Sequence, residues 1–587
     1  MSPRPRTVRG CLMAAALVAA LNSPPVASSA ASAPESTDRR SAAGTAPTGP
    51  RAAHPQVAAA GPGGAAAGLA ATPPMGWNNW AHYMCRIDEK TVVDTADALV
   101  RTGLAAKGYD TVTVDDCWLK RSRDGNGNLV ADPVKFPRGM AWLGRYLHGK
   151  GLKFGMYQDA GALTCEKFPG SGRPQGGGRD HFVQDAALFA SWGVDYLKMD
   201  GCNMWIPPTK TKEAAYRDAY RAAAKALRES GRDIVFSASA PAYFQNGEWG
   251  SPTWFAVLGW TSGTSHLWRE GRDVQVYQPS TPGASRWASV LGNYGYNRWL
   301  GRYAAPGRWN DPDFLIAGAP GLTAEESRTQ VALWAMMAAP MILSSDVGKL
   351  TPAGLAALGN TRLIEVDQDP LGQQAAVVAT DGSTDVLARP LAGADRAVAV
   401  LNRTGAARQV SVSLDRIGLP GCRVSARDLW TGTAATTSGP LTATVPAHGT
   451  AVWRLTPQGC AAAVPTGQVT GEAMRCADGV SSAGPAAVVM GTCTGAADQR
   501  WTRPADGTVR LGGRCLTAGA GSTAAAVSLA ACDPARVAGQ RWQWAADRTL
   551  RVQGTRLCLE APPAAADPLR ARSCGYHFTR QAWALPV

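Results

Sequence analysis

The stretch VDYLKMDGC, residues 194–202, decides how the first two-thirds of this chain is read. Val194, Tyr196, Leu197 and Met199 give it the apolar weight of a strand buried on both faces. Side chains alternate along a strand, so Lys198 and Asp200 point the same way, into whatever the sheet encloses. A buried lysine beside a buried acid is either a structural ion pair or the edge of a chemical site. The strand stops at once, on Gly201 and Cys202.

Similar runs flank it: TVTVDD at 111–116, KFGMYQD at 153–159, DIVFSASA at 233–240, DFLIAG at 313–318 and PMILSS at 340–345. Helical stretches such as TKEAAYRDAYRAAAKALRES, 211–230, lie between them. Alternation of this kind means βα units and a parallel sheet. Weaker strands near MGWNNW (75–80) and SHLWRE (265–270) bring the total to eight, a (β/α)₈ barrel over residues 71–355. Such barrels carry their chemistry at the C-terminal strand ends, where several of these runs finish in acids. One such acid is equally a helix cap. Repetition around one rim points to a site.

From 356 to 457 the period changes to two, in AAVVAT (375–380), RAVAVLNR (396–403), QVSVSL (409–414) and GTAVWRL (449–455). This is an antiparallel β-sandwich domain, with Cys422 and Cys460 expected to pair across its later half. From 463 to 587 the chain repeats itself. Cys476–Cys493, Cys515–Cys532 and Cys558–Cys574 are each followed by Gln-x-Trp, and Trp501, Trp542 and Trp583 recur every 41 residues. Three equivalent units around one core make a β-trefoil, and the pattern resembles the ricin B-type lectin module. Such lectins hold sugar with an acid just after the first cysteine, here Asp478 and Glu560, with Thr517 in the middle unit. They add an aromatic near the second cysteine, where this chain has Gly491, Ala530 and Arg572. A weak binder or a spacer is therefore as good a reading of the module as a lectin.

The N-terminus assigns a compartment. Arg4, Arg6 and Arg9 precede the apolar run CLMAAALVAAL, and small residues follow, the grammar of a secretory signal peptide over residues 1–33. Residues 34–70 are an Ala/Gly/Pro/Ser linker. Beyond Cys11, twelve of the thirteen cysteines remain, an even number that in an exported chain reads as disulfides. No CxxC or HExxH occurs, so no metal and no cofactor is expected. The net charge of +14 comes from scattered arginines without a basic run interleaved with aromatics, which argues against nucleic acid. No membrane helix is apparent. Twenty tryptophans fit a carbohydrate partner better: an oligosaccharide, a polysaccharide or the glycan of a glycoprotein.

A carboxylate at a barrel rim, kept charged by a neighbouring lysine, is what attack on a sugar's anomeric carbon requires. A second acid must protonate the leaving oxygen, and HLWREGRD (266–273) offers Asp273 beside Arg269. PPMGWNNW, VDDCW, YQDAGALTC, DYLKMDGC, the Arg-x-x-x-Asp and WNDPD then occur in the order and approximate spacing of the family 27 glycoside hydrolases, which the chain resembles over residues 72–456. The resemblance implies a secreted, retaining exo-α-glycosidase without a cofactor, with Asp200 as nucleophile and Asp273 as general acid/base. It implies sugar contacts from Trp80, Asp115, Asp116, Tyr157, Lys198, Arg269 and Asp313. It also implies the bridges Cys85–Cys117 and Cys165–Cys202.

Within the family, SASAPAY (237–243) contacts the sugar's 2-position. Members acting on α-galactosides place a glutamate and a leucine where this chain has Ser239 and Ala242. Members acting on α-N-acetylgalactosaminides have serine and alanine, so Ser239, Ala242 and the adjoining Tyr243 imply a preference for N-acetylgalactosamine. Ala240 departs from the tryptophan found between them. A β-L-arabinopyranosidase and an isomaltodextran-cleaving enzyme are rivals from the same family. A non-catalytic sugar-binding protein on a dead barrel is the distant alternative.

Overall fold

The structure, a computed structural model, describes residues 68–245, 251–276, 283–460, 464–471, 475–479, 486–533, 539–545, 548–564, 566–575 and 578–586. The expected signal peptide and the linker up to residue 67 lie outside them.

Eight strands form one parallel sheet: β1 Met75–Asn78, β2 Thr111–Val114, β3 Lys153–Asp159, β4 Tyr196–Asp200, β5 Val235–Ala238, β6 Leu267–Arg269, β7 Trp309–Asp311 and β8 Met341–Leu343. Their order is β7-β6-β5-β4-β3-β2-β1-β8, and a parallel bridge between Leu315 and Leu343 closes the ring. The strand expected at 313–318 lies earlier, at β7. Pro312 has no N–H to give a ladder, and Asp313 takes a φ of 81°, so pairing breaks after Asp311 and returns only at Leu315. Each strand is followed by helix. Lys212–Arg228 shows why: Thr211 caps it by accepting the Ala214 N–H, and Ala215, Tyr216, Tyr220, Ala223 and Leu227 turn one buried stripe to the sheet.

The helices Pro352–Leu358 and Thr361–Asp367 complete the outer ring, so the boundary expected after residue 355 falls inside a helix. Antiparallel structure begins at Ala376. A six-stranded sheet packs with the ladder of Arg408–Val412 and Leu441–Val445 around Val398, Val400, Val412, Val424, Val445 and Leu455. The third region has three matching units. In each, the tryptophan of Gln-x-Trp is buried and donates its indole N–H to a carbonyl beside the unit's first cysteine: Trp501 to Ala477, Trp542 to Leu516 and Trp583 to Leu559, at 2.8–2.9 Å. Six disulfides form: Cys85–Cys117, Cys165–Cys202, Cys422–Cys460, Cys476–Cys493, Cys515–Cys532 and Cys558–Cys574.

The trefoil is docked on the barrel. Arg302, 2% exposed, donates to the Ala582 carbonyl at 3.1 Å, and Arg548, 8% exposed, donates twice to the Ala304 carbonyl at 3.1 and 2.5 Å. Hydrogen bonds from a charged group contribute about 1.5–3 kcal/mol. Arg548→Met should therefore lower unfolding free energy by roughly that amount in denaturant melts, with turnover of small glycosides retained below the transition. A variant as stable as the parent would show that the trefoil leans on the barrel without support from this contact.

Candidate active site

β4 places the opening stretch at the centre of the rim. Its register sets Tyr157 of β3 beside Lys198, and Ser237 of β5 on the other side. The Lys198 ammonium lies 2.8 Å from Asp115 Oδ2 and 3.9 Å from Asp200 Oδ2. Its closer partner is thus Asp115, which Asn78 also binds at 2.6 Å. The rings of Tyr157 and Phe314 flank the ammonium at 5.1 and 5.4 Å. Burial pulls the lysine down, but Asp115 and Asp200 outweigh it and keep it protonated.

Asp115, Tyr157, Lys198 and Asp200 line a cavity of 330 Å³ with Trp80, Asp116, Ser239, Ala242, Tyr243, Arg269 and Asp273. Asp200 and Asp273 share this space. Burial is the main cause that raises the Asp200 carboxyl; Lys198 pulls it back, and Asp115 and Asp273 push it further. Lys198 opposes that rise, as expected, but desolvation is the larger of the two effects. Asp273 sits at the lip with 64% of its side chain exposed, and accepts from Arg269 Nη2 at 2.8 Å. Desolvation opposes its charge, yet the guanidinium and that hydrogen bond win and hold it below the usual carboxylate range.

One residue stands elsewhere than expected. Asp313 is 2% exposed and not on the cavity wall. It lies behind Arg269, pairing with Nη1 at 2.8 Å and accepting the Val274 N–H at 2.6 Å. The turn after Pro312, with the positive φ of Asp313, sets it there, where it braces the segment carrying Asp273. Gly271 completes that brace, since a Cβ there would fall 2.0 Å from the Tyr296 ring.

Two wall features escaped sequence reasoning. Cys165 and Cys202 belong to the wall itself, with the Tyr243 hydroxyl 3.6 and 3.2 Å from their sulfurs. Arg272 lines the mouth. Ser239, expected from the sequence, is buried on the wall, and its hydroxyl hydrogen-bonds toward Asp200 and helps to lower that carboxyl. Two groupings have metal-like spacing, Cys85–Cys117 with Glu166 and Cys165–Cys202 with Asp159. Their sulfurs are spent in disulfides and offer no thiolate.

In the trefoil, Asp478 and Glu560 each accept from the glutamine of their own Gln-x-Trp, at 3.1 and 2.9 Å, and Thr517 does the same at 3.1 Å. Glu560 is also 3.5 Å from Arg572, which stands where a lectin would present an aromatic. Asp478 faces Gly491, whose missing side chain leaves its carboxylate uncovered.

Asp116 is pushed up to about 6, chiefly by burial, against hydrogen bonds from Cys117, Glu166 and Thr164, with Asp115 adding to the rise. A carboxylate accepts from sugar hydroxyls with both oxygens only when ionised. Occupancy of that form falls as pH drops through 6, to about one-tenth at pH 5. Affinity for a sugar inhibitor should weaken about tenfold between pH 7 and 5, and Asp116→Asn should flatten that limb. A limb that survives the substitution unchanged would assign it to another group.

Comparison with known proteins follows the same division. The family model for alpha galactosidase A matches residues 72–369, that for the alpha galactosidase C-terminal beta sandwich domain 381–455, and that for the ricin-type beta-trefoil lectin domain 465–583. The chain is 40% identical over 446 residues to alpha-galactosidase A of Aspergillus niger, covering 75% of this chain and 79% of that one. A probable alpha-galactosidase A from another strain of Aspergillus niger is 38% identical over 521 residues, 88% of this chain and 93% of that protein. Alpha-galactosidase I from Mortierella vinacea superposes with a TM-score of 0.59 at 31% identity, over 67% of this chain and 98% of that structure.

Proposed function

The chain belongs to the alpha galactosidase A family of glycoside hydrolases, and from that premise we propose that it is an exported, retaining exo-α-glycosidase preferring terminal α-N-acetylgalactosamine over α-galactose. The observation that carries the reading is the 330 Å³ cavity, with Asp200 and Asp273 on one wall system and Ser239 and Ala242 facing the same space. Asp200 attacks the anomeric carbon as the bond to the leaving oxygen breaks, and Asp273 gives its proton to that oxygen. Asp273 then takes a proton from water, whose oxygen displaces Asp200 and restores the anomeric configuration. Burial alone favours a neutral Asp200, and Arg269 favours an ionised Asp273, the reverse of these roles. A bound sugar supports them by covering the exposed Asp273, which removes water from its carboxylate, and by donating hydroxyl hydrogen bonds toward Asp200.

Asp115, fixed by Asn78 and Lys198, and Asp116 supply acceptors for ring hydroxyls. Small side chains at Ser239 and Ala242 leave room for an acetamido group, and the Ser239 hydroxyl, which lies within reach of Asp200, is placed to hydrogen-bond it. Galactose would leave that space unfilled, at about 1–3 kcal/mol. The six disulfides support export. Initial rates on 4-nitrophenyl α-N-acetylgalactosaminide, α-galactoside and β-L-arabinopyranoside test the reading. The first should be fastest; an enzyme far faster on α-galactoside, or active only on the pentoside, would replace it.

A further inference from the structure

We propose that Arg272 is a specificity-determining cation that selects an anionic aglycone, a carboxylate or sulfate carried next to the cleaved sugar. The proposal rests on the glycosidase reading above. The remaining cations of the wall are committed. Lys198 is paired with Asp115 and Asp200, and Arg269 with Asp273 and Asp313. Arg272 lines the same cavity, is exposed, and has no carboxylate partner among the described residues.

Its backbone is held while its head group is not. Gly271 is seated against the Tyr296 ring, the Arg272 carbonyl accepts the Tyr296 hydroxyl at 3.4 Å, and the Val274 N–H is bound by Asp313. The loop therefore presents residues 272 and 273 together at the lip. Asp273, as acid/base, meets the oxygen between the cleaved sugar and its aglycone. The neighbouring guanidinium then stands on the aglycone's side of that oxygen, where the sugar-facing wall is otherwise acidic. A planar guanidinium matches a carboxylate or sulfate with two parallel hydrogen bonds.

The test compares two aryl α-N-acetylgalactosaminides of equal shape, 4-carboxyphenyl and 4-carbamoylphenyl, by kcat/KM at pH 7 and low salt. Taking the ratio within each variant cancels any loss common to both. The parent enzyme should favour the carboxylate about three- to fivefold, the yield of an exposed ion pair. Arg272→Ala should bring the ratio near one and Arg272→Glu should invert it. Raising the salt to about 0.5 M should erase the parent's preference, because the screening length then shrinks to a few ångströms. A ratio indifferent to residue 272 overturns the proposal. So does an equal loss on both substrates with a shifted pH profile, which would make Arg272 a partner of Asp273 instead. Absence of turnover on the neutral glycoside by the parent would overturn the N-acetylgalactosamine reading alone, and the same ratio is then read on the matching pair of α-galactosides.

Discussion

Asp200→Asn should leave the chain folded and its glycoside turnover at least about 10⁴-fold lower, because the substitution removes the proposed nucleophile and nothing on which the barrel depends. Asp200 is tied to the sheet through its backbone, its carbonyl accepting the Ala160 N–H at 2.8 Å. The side chain is 3.9 Å from Lys198, and that lysine keeps its shorter contact with Asp115 when the charge at 200 is gone. Burial already disfavours ionised Asp200, so a neutral isostere spares the fold a desolvation cost. Azide separates the two carboxyls by product. With Asp200→Ala it attacks the sugar directly and gives the inverted β-azide. With Asp273→Ala it intercepts the sugar bound to Asp200 and gives the retained α-azide. Full activity in Asp200→Asn, or the same azide anomer from both variants, would require a different mechanism.

The second large effect is on sugar choice. Ser239→Glu combined with Ala242→Leu should raise the ratio of α-galactoside to α-N-acetylgalactosaminide kcat/KM by about 30-fold or more, since each pocket change is worth about 1–3 kcal/mol. The backbone is prepared for the exchange. The Ser239 N–H donates to the Met199 carbonyl at 2.9 Å, the Ala242 N–H to the Ser239 carbonyl at 3.1 Å, and a short 3₁₀ turn spans Ala240–Phe244. Longer side chains therefore grow into the cavity without moving the strand end. The leucine occupies the acetamido space and the glutamate accepts from a 2-hydroxyl. An added carboxylate near Asp200 slows both substrates, which the ratio cancels. If both rates fall while their ratio stays put, Ser239 and Ala242 do not read the 2-position.

The barrel was legible because two periods, strand and helix, alternate eight times with acids at one kind of end. The trefoil was legible because its repeat is nearly exact in length. β7 was misplaced because an apolar run outranks the shorter WND beside it, and only the geometry after Pro312 breaks the ladder there. The motif containing Asp313 was visible, but a motif does not say how deep a side chain lies, and here the carboxylate braces Arg269 from behind. Lys198 found its nearest partner 83 residues away in sequence, across two strands, where no local pattern points. Arg272 was invisible for a plainer reason: one arginine among many scattered ones carries no signal until the cavity gives it a place.

The contacts of Arg302 and Arg548 have a consequence for polyvalent substrates. Two sugar-engaging bodies on a floppy tether sample many separations and reward any substrate long enough to reach both. Bodies bolted together hold one separation and one bearing. A glycan engaged by the trefoil near Asp478 would be fed to the barrel only if its branch spacing matches that fixed gap, and shorter or differently angled branches would gain nothing from the second grip. Were the trefoil to engage sugar, its docking through Arg302 and Arg548 would make the molecule a ruler for glycan architecture.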